Sequence, residues 1–92
     1  MSDTSLNVLI IDDEQAYREN IGTILRGAGL SVQVADSMQG AREAARLIAP
    51  ALVLLDLRLP GSDGLANLEE WMGAQGGPHV IVLSDASAQG QV

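Results

Sequence analysis

The feature that most constrains the fold is a series of short apolar segments, each followed or preceded by a helical pattern. They occupy residues 6–11, 31–35, 52–55 and 80–83, and 52–55 reads Leu-Val-Leu-Leu. Apolar runs of this length, rich in β-branched side chains, are typical of buried strands. Strands that are apolar on both faces belong to parallel sheets covered by helices on both sides. The order β-α-β-α-β-α-β therefore predicts a doubly wound parallel α/β sheet with right-handed crossovers and strand order 2-1-3-4.

The three helical segments each carry one apolar stripe at helical spacing. The stripes consist of Tyr17, Ile21, Ile24, Leu25 and Ala28 in the first segment, Ala41, Ala44, Ala45 and Ile48 in the second, and Leu65, Leu68 and Met72 in the third. We expect Asp36 or Ser37 to cap the second helix. Trp71 is expected to pack in the core rather than to bind a ligand.

The charge of the chain argues against several classes of partner. Its 92 residues include 12 acidic residues, five arginines and no lysine, and the formal net charge is -7. Such a surface disfavours nucleic acid and anionic membranes as partners. The 47% of apolar residues is too high for a disordered acidic tail. There is no apolar run of membrane-spanning length and no signal peptide, so we expect a cytoplasmic domain.

The residue types also limit the chemistry. The chain has no cysteine and one histidine, His79. Disulfides, thiolate catalysis, cysteine zinc sites and histidine clusters are therefore excluded for these 92 residues.

Polar side chains follow three of the predicted strands, at the point where each strand ends. Asp12 and Asp13 follow the first strand, Asp56 the third and Ser84 the fourth. Strands 1 and 3 are neighbours where the winding reverses, and ligands bind outside the carboxyl ends of the strands there. Three carboxylates placed together favour a hard divalent cation such as Mg²⁺ or Mn²⁺. Asp56 could then attack phosphorus as a nucleophile, and Ser84 could donate a hydrogen bond to the phosphoryl group.

Each of these residues has a simpler interpretation when it is taken alone. Asp12 or Asp13 could cap the first helix, and Asp56 could be a turn residue. Ser84 could be a turn residue or a cap. The coincidence of all of them at one edge of the sheet favours a shared site.

The loop between Asp56 and the third helix contains three residues with local conformational roles. Pro60 is expected to fix the loop that presents Asp56. Asp63 is well placed to cap the third helix. Gly64 is expected to adopt a positive φ, which other side chains resist.

Three segments of the chain resemble the receiver domain of bacterial response regulators. They are Val-Leu-Ile-Ile-Asp-Asp-Glu at 8–14, Leu-Val-Leu-Leu-Asp-Leu-Arg-Leu-Pro-Gly-Ser-Asp-Gly at 52–64, and Val-Ile-Val-Leu-Ser at 80–84. The resemblance implies a flavodoxin-like fold. On that pattern we expect residues 1–92 to form a single incomplete receiver domain. Residues 6–84 would bear the motifs and 85–92 would be a polar tail, without the family's fourth helix, fifth strand and fifth helix.

The resemblance also implies roles for the matching residues. Asp56 would accept a phosphoryl group from a histidine kinase or a small-molecule donor. Asp13 and Asp56 would bind Mg²⁺ directly, Asp12 would act largely through water, and the main-chain carbonyl of Arg58 would supply another ligand. Ser84 would be the switch hydroxyl. The implied function is a signalling switch without enzyme activity of its own, controlling an output domain or partner in transcription.

Two departures from the family pattern keep alternatives open. Asp85 stands where the family usually has a small residue, and the family's lysine at the end of the fifth strand has no counterpart among these residues. Because the lysine would normally pair with the phosphoryl group, we expect phosphorylation of these 92 residues to be impaired. One alternative is a pseudo-receiver that mediates protein contacts without phosphate. Another is a Mg²⁺-dependent phosphatase or phosphotransferase, which would need a general acid at the position of Arg58. With strand 4 at an edge of the sheet, we also expect self-association through that strand.

Overall fold

The computed structural model describes residues 6–73 and 77–83 of the chain. Strands and helices alternate as the sequence predicts. The elements are β1 (Asn7–Ile11), α1 (Gln15–Gly27), β2 (Ser31–Ala35), α2 (Met38–Ile48), β3 (Leu52–Asp56), α3 (Gly64–Met72) and β4 (His79–Leu83). No helix within these described ranges is both long enough and apolar enough to cross a membrane.

The four strands form one parallel sheet in the order β2-β1-β3-β4, which confirms the predicted topology. β1 lies between β2 and β3. Ile11 at the end of β1 is paired with Leu55 in β3. The residues that follow this pair, Asp12 and Asp56, therefore leave the sheet side by side at its carboxyl edge.

Helices cover both faces of the sheet, which explains why residues 8–11 of β1 and 52–55 of β3 are apolar on both faces. On one face, α1 contributes Ile21 and Leu25 to a core that contains Val8, Ile10, Val32 and Leu54. On the other face, α2 and α3 pack over a larger core formed by Leu9, Ile11, Ala35, Met38, Ala41, Val53, Leu55, Leu59 and Trp71. Trp71 is 8% exposed, so the expectation that it packs in the core is confirmed.

The predicted stripe is right for α2 and partly wrong for α1. Ala41 is fully buried, and Ala44, Ala45 and Ile48 pack against the same core. Ser37 caps α2, because its side chain accepts a hydrogen bond from the Gly40 N–H at 3.1 Å. In α1, however, Tyr17 and the C-cap residue Ala28 are exposed, and Ile24 is 65% exposed. Ile24 precedes Leu25 by one residue, about 100° around the helix, and so points away from the sheet.

The inward face of α3 differs from the predicted one. Leu65 and Met72 are exposed, whereas Asn67 and Trp71 are buried and Leu68 is half-buried. The true face is rotated by roughly a quarter of a turn from the predicted stripe. Trp71 has the largest side chain of the helix, and its inward position places the indole in the core to which α2 contributes Met38 and Ala41.

The two edges of the sheet are protected unequally. On β2, the Ser31 N–H donates to Leu6 O, and Ala35 O accepts from the Asp12 N–H. These two residues therefore direct their main-chain groups toward β1, and the residues that alternate with them along the strand direct theirs outward. Arg26 covers one of these outward groups, because its Nη2 donates to Val32 O at 3.1 Å. At the other edge, β4 pairs only with β3 within the described residues. Ile81 and Val82 on β4 are exposed.

Candidate metal centre

Hydrogen bonds from three directions fix Asp12, the first residue after β1. Its N–H donates to Ala35 O at 3.0 Å. Its Oδ1 accepts from the Glu14 N–H at 2.9 Å, which closes an Asx turn. Its carbonyl oxygen accepts from Arg18 Nη1 at 2.8 Å. The N-cap residue of α1 is Glu14, with no side-chain capping bond, so the alternative that Asp12 or Asp13 caps this helix is wrong.

Asp56 is held in a similar way at the end of β3. Its Oδ1 accepts from the Arg58 N–H at 2.8 Å, so one carboxylate oxygen is fixed by the main chain two residues further on. The side chain is half-buried. The turn that follows β3 therefore orients the carboxylate without enclosing it.

The loop after Asp56 is shaped by one close main-chain contact that the sequence interpretation describes incorrectly. Gly64 has no positive φ; the residue of this loop that does is Gly61, at φ 73°. A Cβ at Gly64 would instead collide with the Leu57 carbonyl oxygen. The capping prediction is confirmed, because Asp63 Oδ1 accepts from the N–H groups of Leu65 at 3.0 Å and Ala66 at 3.3 Å.

The structure brings together the three predicted carboxylates. Asp12, Asp13 and Asp56 each offer an oxygen, and these atoms all lie within 4.8 Å of one another. Asp12 is buried, Asp56 half-buried and Asp13 exposed. The cluster therefore opens to solvent on the side of Asp13 and is closed beneath by Asp12.

Burial and like charge act together on Asp12. Desolvation raises the pKa of its carboxyl, and the neighbouring carboxylates of Asp56 and Asp13 raise it further. The hydrogen bond from the Glu14 N–H opposes this change by favouring the charged form. The balance is a raised pKa, so the ionised cluster is electrostatically unfavourable and a cation would relieve it.

The donor set fits a hard divalent cation. All three groups are carboxylates, which suit Mg²⁺ and Mn²⁺ and give no preference to soft metals. Their spacing lets one small ion contact more than one of them and leaves other positions for water or a ligand. The proposed fourth donor, the main-chain carbonyl of Arg58, remains a prediction. Ser84 and Asp85 lie outside the described residues.

From the sequence, Arg18 counts only toward the net charge, and no role is predicted for it. The position of Arg18 in the sequence could have indicated its contact with the Asp12 carbonyl oxygen. Arg18 lies six residues after Asp12, one turn into α1, where a long side chain can reach back to the end of β1.

A groove elsewhere on the molecule does not belong to this cluster. It encloses about 440 Å³, and Ala49, Pro50 and Pro78 in its lining precede β3 and β4. It therefore lies at the amino ends of the strands, opposite the carboxylates. At its rim, Arg42 Nε donates to Glu70 Oε2 at 2.6 Å and links α2 to α3. Both side chains are substantially exposed, so this ion pair contributes little stability.

A doubly wound parallel sheet with carboxylates at the ends of its two central strands defines an α/β domain with an acidic cluster at the switch point. Comparison with known proteins gives its family. The family profile described as "Response regulator receiver domain" matches residues 8–92. The chain belongs to this family.

Individual relatives agree with this assignment. The chain is 40% identical over 86 residues to the KDP operon transcriptional regulatory protein KdpE of Escherichia coli (strain K12), covering 90% of this chain and 36% of KdpE. It is 41% identical over 91 residues to protein-glutamate methylesterase/protein-glutamine glutaminase 6 of Anaeromyxobacter dehalogenans (strain 2CP-C), covering 96% of this chain and 25% of that protein. The chain thus spans only a quarter to about a third of these curated relatives.

A solved structure gives the same fold. The signal receiver domain of a response regulator from Bermanella marisrubri superposes with a TM-score of 0.80 at 27% identity, covering 96% of this chain and 76% of that one. The flavodoxin-like fold implied by the sequence resemblance is therefore shown.

Proposed function

We propose that this receiver domain is a signalling switch in which Asp56 accepts a phosphoryl group in a Mg²⁺-dependent reaction. The observation that carries the proposal is the cluster of Asp12, Asp13 and Asp56, whose oxygens lie within 4.8 Å of one another. The cluster occurs in a chain that belongs to the receiver family. Family membership favours a histidine kinase as the phosphodonor, with a small-molecule donor as a substitute.

The contacts of Asp56 suit it to act as the nucleophile. The Arg58 N–H holds Oδ1 and so limits rotation of the carboxylate, and the half-buried side chain remains open to a donor. A carboxylate oxygen would attack phosphorus, forming an O–P bond as the N–P bond of a phosphohistidine breaks. The departing imidazole takes up a proton from solvent, and Asp56 becomes an acyl phosphate. When bound, Mg²⁺ supplies positive charge that offsets the negative phosphoryl oxygens.

Asp12 and Asp13 would hold the cation rather than react. Asp12 is buried and held in place by three hydrogen bonds, so it offers a fixed carboxylate beneath the site, which would act on the cation largely through water. Asp13 is exposed and completes the cluster from the solvent side. We propose Ser84 as the switch hydroxyl and the Arg58 carbonyl as a further cation ligand, on the family pattern alone.

The relatives bear on the output that such a switch would control. KdpE is by name a transcriptional regulatory protein, and MtrA of Mycobacterium tuberculosis is by name a DNA-binding response regulator. We propose a transcriptional output on this basis, in the cytoplasm, with the domain acting as a regulator rather than an enzyme. One relative is by name a methylesterase, so an enzymatic output is the competing possibility for a longer protein.

Phosphorylation of the 92-residue chain tests the central proposal. The protein is incubated with acetyl phosphate and Mg²⁺, and bound phosphate is measured by intact-mass spectrometry. Because the family's lysine has no counterpart among these residues, we expect slow labelling of the wild type, no labelling in EDTA and none of Asp56→Asn. Asp63→Asn is the matched control, because an asparagine at this exposed position of the same loop can still cap α3.

The outcomes separate the competing functions. Equal labelling of Asp56→Asn and wild type would exclude Asp56 as the acceptor. Mg²⁺ titration by calorimetry adds a second measurement. A folded wild-type protein that neither binds Mg²⁺ nor takes up phosphate would favour the pseudo-receiver alternative instead.

We also propose that the 92-residue chain self-associates through the edge of β4. Within the described residues β4 has one strand neighbour, and Ile81 and Val82 on it are 50% and 39% exposed. An apolar strand edge with free main-chain groups can pair with the same edge of a second copy.

A further inference from the structure

We infer that Arg18 is a positioning residue for the cation site, acting through the peptide group that joins Asp12 to Asp13. This inference rests on the proposed function. Arg18 would not contact the cation, but it would set the directions of two of the three carboxylates, those of Asp12 and Asp13.

Three hydrogen bonds hold the main chain around the acidic pair, Asp12 and Asp13. The Asp12 N–H is bound to Ala35 O at 3.0 Å, and the Glu14 N–H is bound to Asp12 Oδ1 at 2.9 Å. Between these two bonds lies the peptide group formed by the Asp12 carbonyl and the Asp13 nitrogen. Arg18 Nη1 donates to that carbonyl oxygen at 2.8 Å.

The two torsions beside this peptide group, the ψ of Asp12 and the φ of Asp13, set the directions of the two side chains relative to each other. Asp12 and Asp13 carry two of the three carboxylates, and their oxygens must stay within reach of one ion. A hydrogen bond from a charged donor is stronger than a neutral one and has stricter geometry. Arg18 therefore holds the Asp12 carbonyl in place with a charged side-chain donor.

A positioning role and a purely electrostatic role predict opposite effects on cation binding. Arg18 is a cation beside a cation site, so removing its charge alone should strengthen Mg²⁺ binding. Removing a hydrogen bond that orients the ligands should weaken it, as loss of outer-shell contacts generally does. The direction of the change distinguishes the two roles.

Arg26 provides a matched control on the same helix. Its Nη2 also donates to a main-chain carbonyl, Val32 O at 3.1 Å, but on β2 rather than at the acidic cluster. Arg26→Met removes the same charge and the same type of hydrogen bond as Arg18→Met, and leaves the Asp12–Asp13 peptide untouched.

The experiment measures Mg²⁺ affinity by isothermal titration calorimetry for wild type, Arg18→Met, Arg18→Lys and Arg26→Met. We expect Arg18→Met to bind Mg²⁺ about tenfold more weakly than wild type. Arg26→Met should bind as wild type does. Arg18→Lys keeps the charge without the planar fork of donors and should also bind more weakly.

Thermal unfolding separates positioning from general stability. In EDTA, we expect Arg18→Met and Arg26→Met to lose similar amounts of stability. The rise in melting temperature on adding Mg²⁺ should shrink only for the Arg18 variants, because this rise depends on affinity. Should Arg18→Met prove unfolded, Arg18→Lys supplies the same comparison.

Unchanged or tighter Mg²⁺ binding by both Arg18 variants would overturn the inference and leave the proposed function standing. Equal weakening by Arg26→Met would overturn it as well, because the effect would then be general. A wild-type protein that binds no Mg²⁺ would overturn both the inference and the proposed cation site.

Discussion

At the scale of single residues, the unusual feature is a carboxylate buried among carboxylates. Asp12 is 6% exposed, yet no described cation pairs with its side chain. Its acceptor bond from the Glu14 N–H offsets only part of the cost of burial, because the pKa of Asp12 is raised overall. Metal-free protein therefore carries a local electrostatic strain at neutral pH, in the place where the proposed cation would bind.

This strain predicts how stability depends on pH. The folded protein binds the Asp12 proton more tightly than the unfolded chain does. The contribution of Asp12 to stability is therefore greatest below the ordinary carboxyl pKa and is lost as pH rises through the raised pKa. In EDTA at neutral pH, we expect Asp12→Asn to raise the melting temperature by a few degrees, since its amide oxygen can still accept from the Glu14 N–H.

Circular dichroism melts over a pH series check this prediction. The difference between Asp12→Asn and wild type should vanish at acid pH, and Mg²⁺ should stabilise the wild type more than the variant. Asp36→Asn is the charge-matched control at an exposed position. A pH-independent difference, or a variant less stable than wild type in EDTA at neutral pH, would contradict the role assigned to Asp12.

At the scale of elements, packing decides which side of each helix faces the sheet. α3 buries Trp71 and Asn67 rather than Leu65 and Met72, although leucine and methionine are the more apolar choice for a stripe. The side-chain donors Asn67 Nδ2 and Trp71 Nε1 have no hydrogen-bond partner in the part of the chain that is described. These polar atoms are buried nonetheless, because the indole ring of Trp71 fills volume in the core shared with α2.

The join between β3 and α3 depends on a glycine for steric reasons. A Cβ at residue 64 would meet the Leu57 carbonyl oxygen, in the turn that presents Asp56. We expect Gly64→Ala to lower the free energy of unfolding by about 1–3 kcal/mol, as overpacking does. Gly27→Ala is the control, because a Cβ there meets no atom within 4 Å and should stabilise α1 by about 0.5–1 kcal/mol.

Urea unfolding followed by circular dichroism compares the two glycine variants. The expected changes have opposite signs. A Gly64→Ala protein as stable as Gly27→Ala would show that the loop relaxes around the added methyl group.

At the scale of the whole molecule, the described residues leave the sheet with one covered edge, at β2, and one uncovered edge, at β4. Arg26 covers an outward carbonyl of β2, which discourages pairing there. β4 has exposed apolar side chains and no comparable cover among the described residues. Any association through the sheet should therefore use β4.

Light scattering tests association through this edge. We expect the 92-residue chain to form a dimer or larger species, and Ile81→Lys to shift it toward monomer, because a charge on an edge strand opposes pairing. Leu47→Lys is the control, since Leu47 is 86% exposed on α2 and lies away from β4. A folded wild-type monomer in dilute solution would contradict the proposal.

The sequence by itself determined the topology and the location of the site. The apolar runs set the strands, and their alternation with helices set the parallel order, because a strand buried on both faces needs helices on both sides. The acidic residues directly after β1 and β3 then had to meet, since parallel strands end at the same edge. Local signals also sufficed for the Ser37 and Asp63 caps, which depend on contacts with the next few residues.

Only the tertiary structure decided how the elements face one another and what holds the site rigid. The inward turn of Trp71, the steric demand at Gly64 and the reach of Arg18 to the Asp12 carbonyl are contacts across space. The periodicity of a sequence indicates only which side chains of a helix are apolar. Packing also depends on whether the volume of each side chain fits against the neighbouring element. For that physical reason the three carboxylates were predictable from sequence, and the residue that orients two of them was not.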